Sequence, residues 1–410
     1  MPWKETCAMK ERVRFISEWE EGQWSMAELC RRAGIGRKTG YKWLKRYQEG
    51  GIEALSDQSR APHHHPNEIG KEVIEEILRM RASYPYWGPV KLKRRLERQS
   101  PKLAWPAVST IGEILKRHGL TVERKKRRKA PPASQPLAHA GAPNDVWCGD
   151  FKGWFRCRDH VRCDPLTITD GASRYLLRCQ AVAEPNHDCV RPLFAATFRE
   201  NGLPRAMRTD NGPPFASTGV GGLSELSLWW IKLGIQPDRI DPGKPQQNGR
   251  HERMHLTLQQ ETAQPPAANL RAQQRAFDRF RRIYNEERPH EALDLNTPAE
   301  CYQVSAREYP SRIPEVVYPS DYLIRWVGPC GTFRWRNQKI FLGKVLRGEP
   351  VGFEPIDDGI WQLWFSFCPL AVFHEKKMIV QRPKRRRRQT AASRSTGNPS
   401  GSTATSGATG

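Results

Sequence analysis

Three acids in the middle of the chain stand where strands and a helix could present them together. Asp210 lies in Thr209-Asp210-Asn211-Gly212-Pro213-Pro214-Phe215, where the short apolar run Ala206-Met207 gives way to turn residues. Asp-Asn-Gly by itself is turn chemistry, because Asp and Asn side chains bond their own backbone and Gly accepts positive φ. The other reading is a metal ligand at the end of a strand. A divalent cation that takes hard oxygen ligands is poorly held by one carboxylate, so Asp210 would need partners. Asp150, in Trp147-Cys148-Gly149-Asp150-Phe151-Lys152-Gly153, sits on or just past an apolar strand expected at the centre of a sheet. Glu252 falls in the first turns of a helix expected after Asn248-Gly249. A first-turn acid also offsets the helix dipole. With Asn248 as N-cap, however, the capping-box position is His251, one residue out of register. Acids on a strand, a strand end and a helix could hold two Mg²⁺ ions about 4 Å apart, an arrangement that serves in-line displacement at phosphorus. No Gly-x-Ser-x-Gly elbow and no phosphate-cradling P-loop is present, so neither of those chemistries competes.

The charge balance names the partner. Sixty-seven Lys and Arg against 44 Asp and Glu leave a formal charge of +23 in 410 residues, which fits a polyanion, most simply nucleic acid. The excess is uneven: 29 basic against 16 acidic residues in 1–130, 21 against 20 in 131–305, and 17 against 8 in 306–410. Basic flanks enclose a nearly neutral centre, as expected if the ends hold phosphates and the middle keeps carboxylates for another purpose. The ten cysteines form no C-x-x-C pair and no zinc spacing. With no signal peptide and no apolar run of 18 residues, the chain reads as a cytosolic protein with free thiols and no membrane partner.

Several elements must position these acids. Residues 1–56 read as a helix-turn-helix DNA-binding domain: a first helix with Val13, Phe15, Ile16 and Trp19, a short helix to Ala33, a turn at Gly34-Ile35-Gly36, and a helix to about Glu49. On that last helix Tyr41, Leu44 and Tyr47 are expected on one face, and Arg37, Lys38, Lys42, Lys45 and Arg46 on another suited to DNA. Gly40 weakens this helix by about 1 kcal/mol relative to Ala. Residues 57–69 read as a linker, 70–122 as a second helical, helix-turn-helix-like DNA-binding domain, and 123–140 as a basic linker. Within the second helical part, Gly119 fits the position just after a helix. Strands followed by alternating strand and helix in 141–305 argue for an α/β domain with a mixed sheet. Alternating residues with turns near Gly348 and at Asp358-Gly359 make 306–382 an expected small β-barrel. The basic tail 383–410 cannot bury a core and is expected to be disordered.

Four stretches in this order, "WCGDFKG", "TDNGPPF", "QQNGRHERMHLTL" and "YNEERPHEALDLNTPAECY", resemble the transposases of bacterial insertion sequences that share the retroviral-integrase catalytic core. With the helix-turn-helix, the resemblance covers most of residues 10–380. It implies an RNase H-like fold for 141–305 and a catalytic triad of Asp150, Asp210 and Glu252 that binds two Mg²⁺ ions, with Mn²⁺ able to substitute. The 41 residues between Asp210 and Glu252 exceed the spacing typical of retroviral relatives, and the Gly-rich stretch "STGVGGLSELS" accounts for the excess. The implied activity is DNA 3′-end cleavage followed by strand transfer. The implied partners are double-stranded DNA, as terminal inverted repeats and as target, and a second copy of the chain, in the bacterial cytoplasm at the nucleoid. The alternatives are a catalytically silent DNA-binding regulator with the same fold, or a nuclease that cuts without joining. Lys152, Asn211, Lys244, Gln247, Asn248, Arg250 and Arg253 flank the triad in sequence as candidate DNA contacts. Asp170 follows a strand too, but its Asp-Gly-Ala-Ser setting reads as structural, and Asn285, Arg288 and His290 read as packing and capping groups.

Overall fold

The computed structural model describes residues 7–57, 68–121, 137, 139–240 and 249–381, the side chain of Arg250 excepted. The basic linker and the C-terminal tail lie outside these residues almost entirely. The chain divides into two compact units, Met1–Gly70 and Lys71–Gly410. No described helix is long and apolar enough to cross a membrane.

In the first unit three helices, α1 (Ala8–Glu20), α2 (Met26–Arg32) and α3 (Arg37–Gly50), pack around Phe15, Ile16, Leu29, Cys30, Leu44 and Leu55. Ser25 caps α2 by accepting the Glu28 N–H at 3.3 Å. Gly34, at φ 63°, makes the turn into α3. The inner face of α3 differs from the expected one. Gly40 and Leu44 are buried and Trp43 and Tyr47 half-buried, whereas Tyr41 is 58% exposed among the basic side chains. A tyrosine at the 37-41-45 spacing lies on the stripe of Arg37 and Lys45, so the basic face carries an aromatic.

The second unit begins with α4 (Lys71–Ser83), α5 (Pro89–Gln99) and α6 (Val108–Arg117), closed by Gly119 at φ 68°. These helices bury Ile77, Met80, Trp87, Leu92, Leu96 and Ile111. They also grip the residues that follow: Arg95 pairs with Glu287 at 3.0 Å, Arg98 with Glu300 at 2.9 Å, and the Tyr84 hydroxyl donates to Glu287. Arg95 and Arg98 are thereby committed to protein.

The central sheet holds β1 (Val146–Phe151), β2 (Phe155–Arg156), β3 (Arg162–Asp170), β4 (Leu176–Val182), β5 (Ala206–Thr209) and β6 (Gln236–Arg239). Its order is β2-β3-β1-β5-β6, with β4 also pairing β3. β3 runs antiparallel to β1 and β4, while β5 runs parallel to both β1 and β6, so the sheet is mixed. One face packs on α7 (His187–Asn201) and α8 (Glu225–Lys232) through Trp147, Phe194, Phe198 and Trp230. The other packs on α9 (Gly249–Thr262) and α10 (Leu270–Arg282) through Cys179, Met254, Leu258, Phe277 and Phe280. Every strand that matters is therefore covered on both sides.

The expected β-barrel is not a closed barrel. After the short helix α11 (Pro298–Cys301), strands β7 (Leu323–Trp326), β10 (Pro350–Asp357), β11 (Ile360–Phe365), β12 (Cys368–His374) and β13 (Ile379–Gln381) form an open sheet, order β13-β12-β11-β10-β7. β8 (Thr332–Trp335) and β9 (Gln338–Phe341) make a separate ribbon. The Asp358-Gly359 hairpin forms as expected, whereas the turn at Gly348 returns the chain to β7. Side chains replace ladder closure. Phe333 and Trp335 of the ribbon meet Phe353 and Phe373 at 5.0–5.5 Å, and Val220, Leu223, Leu228 and Ile231, in and before α8, join the same cluster. A sheet whose apolar face is covered by a ribbon and by the core has no need to curl onto itself.

Gly40 explains itself in this packing. A Cβ there would stand 2.4 Å from Cys30 Sγ, 3.1 Å from Phe15 and 3.2 Å from Met26. The glycine that lowers helix propensity is what lets α3 approach α1 and α2. Gly40→Ala gains about 1 kcal/mol of propensity but overpacks the core at a cost of ~1–3 kcal/mol. The expected result is a lower thermal midpoint for the N-terminal unit; a raised one would contradict this packing.

Candidate active site

Parallel pairing of β1 with β5 sets two of the acids side by side. The register ends at Cys148 opposite Arg208, and Asp150 and Asp210 each lie two residues further on. Neighbouring strands are about 4.8 Å apart, so the two carboxylates leave the same end of the sheet from adjacent chains. Side chains alternate along β1. Trp147 and Phe151 pack toward α7, and a Cβ on Gly149 would meet Phe194 at 3.3 Å. Asp150 therefore emerges on the opposite face, toward α9.

α9 is fixed to that face by two buried histidines. His251 and His255, one turn apart, are 3% and 6% exposed and meet edge to face at 4.6 Å. Thr167, the β3 residue opposite Asp150, lies with its Oγ1 2.6 Å from His251 Nε2, 2.7 Å from His255 Nε2 and 3.2 Å from the Asp150 carbonyl oxygen. Thr169 Oγ1 is 3.1 Å from His251 Nδ1. One proton assignment serves all four contacts. Both Nε2–H groups donate to Thr167, Thr167 donates to the Asp150 carbonyl, and Thr169 donates to Nδ1. It requires neutral rings. Burial lowers the pKa of His251 to about 3, and burial, then His251 and Lys152, lower that of His255 to about 2.

Acid spacing alone misses these residues, although a signal was present: His251-Glu252-Arg253-Met254-His255 is an H-E-x-x-H string. On a helix that string commonly binds zinc with both imidazoles. Here the ligand atoms of Asp150, His251 and His255 do lie within 4.8 Å of one another. In the assignment above both Nε2 atoms carry protons and His251 Nδ1 accepts from Thr169, which leaves His255 Nδ1 as the imidazole lone pair open to a cation.

Glu252 follows His251 on the exposed side of the first turn of α9. Among the described residues, Asp150, Asp210 and Glu252 do not form a single cluster as tight as the Asp–His–His group. Three like charges do not close up on their own. Asp210 is half-buried, and its hydrogen-bond partner among the described residues is the Gly212 N–H at 3.1 Å. Burial raises its pKa, and that N–H opposes the rise in part. A partly desolvated carboxylate with one donor fits a hard divalent cation, which would supply the missing charge.

The other candidates separate by position. Arg37, Lys38, Lys42 and Lys45 are exposed on α3, and Arg46 lies over Trp43 at 5.0 Å. Lys152 is half-buried, Arg253 is exposed, and Asn211 is exposed with its amide donating to the Ile240 carbonyl at 2.9 Å. Lys244, Gln247 and Asn248, and the Arg250 side chain, lie outside the described residues. Asp170 is 1% exposed and accepts from the N–H groups of Asn144, Ala172 and Ser173 and from the Ser173 hydroxyl, a structural role. Asn285 pairs both ways with the Leu176 backbone, and Arg288 holds Glu261 at 2.8 Å. Both are packing roles. Burial lowers the pKa of His290 to about 3, and its ring meets Tyr284 edge to face.

The Thr167 hub has a measurable worth. Thr167→Val keeps the shape but strands two imidazole N–H groups, each costing ~1–3 kcal/mol. The urea midpoint of the second unit should fall with its slope unchanged. A variant as stable as the parent would remove the network from the account.

Two integrase core domain models match residues 140–245 and 233–298, a helix-turn-helix domain model matches 11–63, and a homeodomain-like domain model matches 39–115. An insertion element IS407 uncharacterized 31.7 kDa protein of Burkholderia multivorans is 29% identical over 58% of this chain and 81% of its own length. An insertion element IS476 uncharacterized 39.2 kDa protein of Xanthomonas euvesicatoria is 31% identical over 44% of this chain and 51% of its own. This chain thus spans most of one relative and about half of the other. Among solved structures, the HTLV-2 integrase catalytic core domain in complex with magnesium is 15% identical over 40% of this chain and 98% of its own, with a TM-score of 0.31. Helix-turn-helix models ahead of integrase-core models, with insertion-element proteins as relatives, place this chain in the family of insertion-sequence transposases that join an N-terminal helix-turn-helix to an integrase core.

Proposed function

We propose that this protein cuts the 3′ end of a mobile element and joins it to target DNA, using Asp150, Asp210 and Glu252. The observation that carries this reading is the shared sheet end. Asp150 and Asp210 leave adjacent parallel strands, and α9 is pinned beside Asp150 with Glu252 in its first turn. In the first step a water oxygen bonds to phosphorus and the element's 3′ oxygen leaves as a hydroxyl. In the second that hydroxyl oxygen bonds to a target phosphorus and displaces a target 3′ oxygen, so each step exchanges one P–O bond for another. Two Mg²⁺ ions, or Mn²⁺ in their place, held by the three carboxylates would activate the attacking oxygen and stabilise the leaving one. Glu252, on the exposed side of α9, would complete the set as DNA covers the site, and Lys152, Asn211 and Arg253, which flank the acids in sequence, would contact the scissile strand.

DNA specificity is assigned to the first unit. Arg37, Lys38, Lys42 and Lys45 line the exposed face of α3 as a recognition helix requires, with Arg46 beside Trp43. Joining two element ends calls for at least two copies of the chain, working on the nucleoid in the bacterial cytoplasm.

The test uses the DNA flanking the gene, a target plasmid and Mg²⁺ or Mn²⁺. The expected products are a nicked 3′ end and a joined molecule, both reduced at least ~100-fold by Asp150→Asn, Asp210→Asn or Glu252→Gln while binding persists. Nicking without joining would make the protein a nuclease. Binding with neither product would make it a regulator.

A further inference from the structure

The loop that leaves the Asp150 strand carries a tryptophan that the core does not use. β1 ends at Phe151, the Lys152 N–H anchors to the Pro165 carbonyl at 3.0 Å, and Gly153 turns at φ 91°. A φ in that range is open to glycine and costly for other residues. The turn presents Trp154 outward, 56% exposed, whereas Trp87, Trp147, Trp229, Trp230 and Trp335 are buried. Two arginines frame the indole, Arg162 with Cζ 5.3 Å and Arg156 with Cζ 5.8 Å from the ring centroid. Both lie over the ring at longer range than Arg12 lies over Trp43, where the distance to the centroid is 3.9 Å. Beneath the loop lies a cavity of about 100 Å³ lined by Lys152, Trp154, Pro165, Leu258, Gln259 and Phe277.

An exposed aromatic face between cations suits one ligand chemistry in particular, a nucleobase with its flanking phosphates. Trp154 is four residues from Asp150, so the chain between them spans at most about 14 Å. We propose that Trp154 stacks an unpaired base of the DNA end held at the carboxylates, with the exposed Arg156 on an adjoining phosphate; Arg162 is paired with Asp164 at 2.6 Å and serves to hold the indole in place. The proposal rests on the transposase reading. A π face takes any base, so the site selects an unpaired end rather than a sequence. Its benefit to the reaction is access, since a strand end released from its complement can follow the sheet end to the acids.

The test uses the full chain and a duplex of the DNA flanking the gene, either fully paired or with its last two base pairs mismatched, at one salt concentration. Fluorescence anisotropy gives the affinity, and 2-aminopurine in the mismatched strand reports stacking. Wild type should favour the mismatched end by ~5- to 100-fold and quench the 2-aminopurine. Trp154→Ala should abolish both effects while binding the paired duplex as before, and Trp154→Tyr should restore most of each. A Trp154→Ala protein that keeps the preference and the quenching overturns the proposal. So does a wild type that cuts and joins its own DNA yet binds both duplexes equally, and that outcome leaves the transposase reading intact. A wild type that binds neither duplex overturns both.

Discussion

The parallel pairing of β1 with β5 is the constraint on which the rest depends. It fixes Asp150 and Asp210 at equal distances past the last paired residues, at one end of a sheet covered on both faces. Burial makes the charged form of Asp210 costly there and raises its pKa. Among the described residues one backbone N–H, that of Gly212, meets the Asp210 carboxylate, a shortfall that a bound cation would make good. Glu252, on the solvent side of α9, is consistent with that shortfall: a third negative charge has no reason to approach until a cation draws it in.

The same helix is held by chemistry of the opposite kind. His251 and His255 contribute no charge at neutral pH, and their shared hydroxyl on Thr167 ties α9 to the strand beside β1. A neutral clamp lets the helix stay close to the acids without cancelling them. Around this centre the second unit is welded by a few strong contacts. Arg95 and Arg98 of α5 reach Glu287 and Glu300, and Lys232 at the end of α8 reaches Glu349 before β10. Its helical start and its C-terminal sheet are therefore built into the core.

Much of this was legible in the residues, and the exceptions have physical causes. The turn residues after Met207 and the apolar run before Asp150 marked two strand ends, and Gly119 marked a helix end that the backbone carries at positive φ. Helical periodicity assigned Tyr41 to the inner face of α3, because a tyrosine counts as apolar whichever way it points; the true inner face needed Gly40, which carries no hydropathy signal. Alternation in the last third identified strands, but it cannot distinguish a sheet that closes on itself from one covered by Phe333, Trp335 and α8. The histidine pair was visible as a string, yet its role depends on Thr167 and Thr169, more than eighty residues away in the chain. Which way Glu252 faces is likewise set by that distant contact.

Counting Mn²⁺ ions bound to the protein–DNA complex, by electron paramagnetic resonance, tests the central claim most directly. If the three carboxylates form the site, two ions bind per active site, Asp210→Asn and Glu252→Gln each remove at least one, and His255→Asn leaves the count unchanged. Binding that survives loss of Asp210 and Glu252 but disappears with His255 would place the metal on the Asp–His–His group and contradict the account.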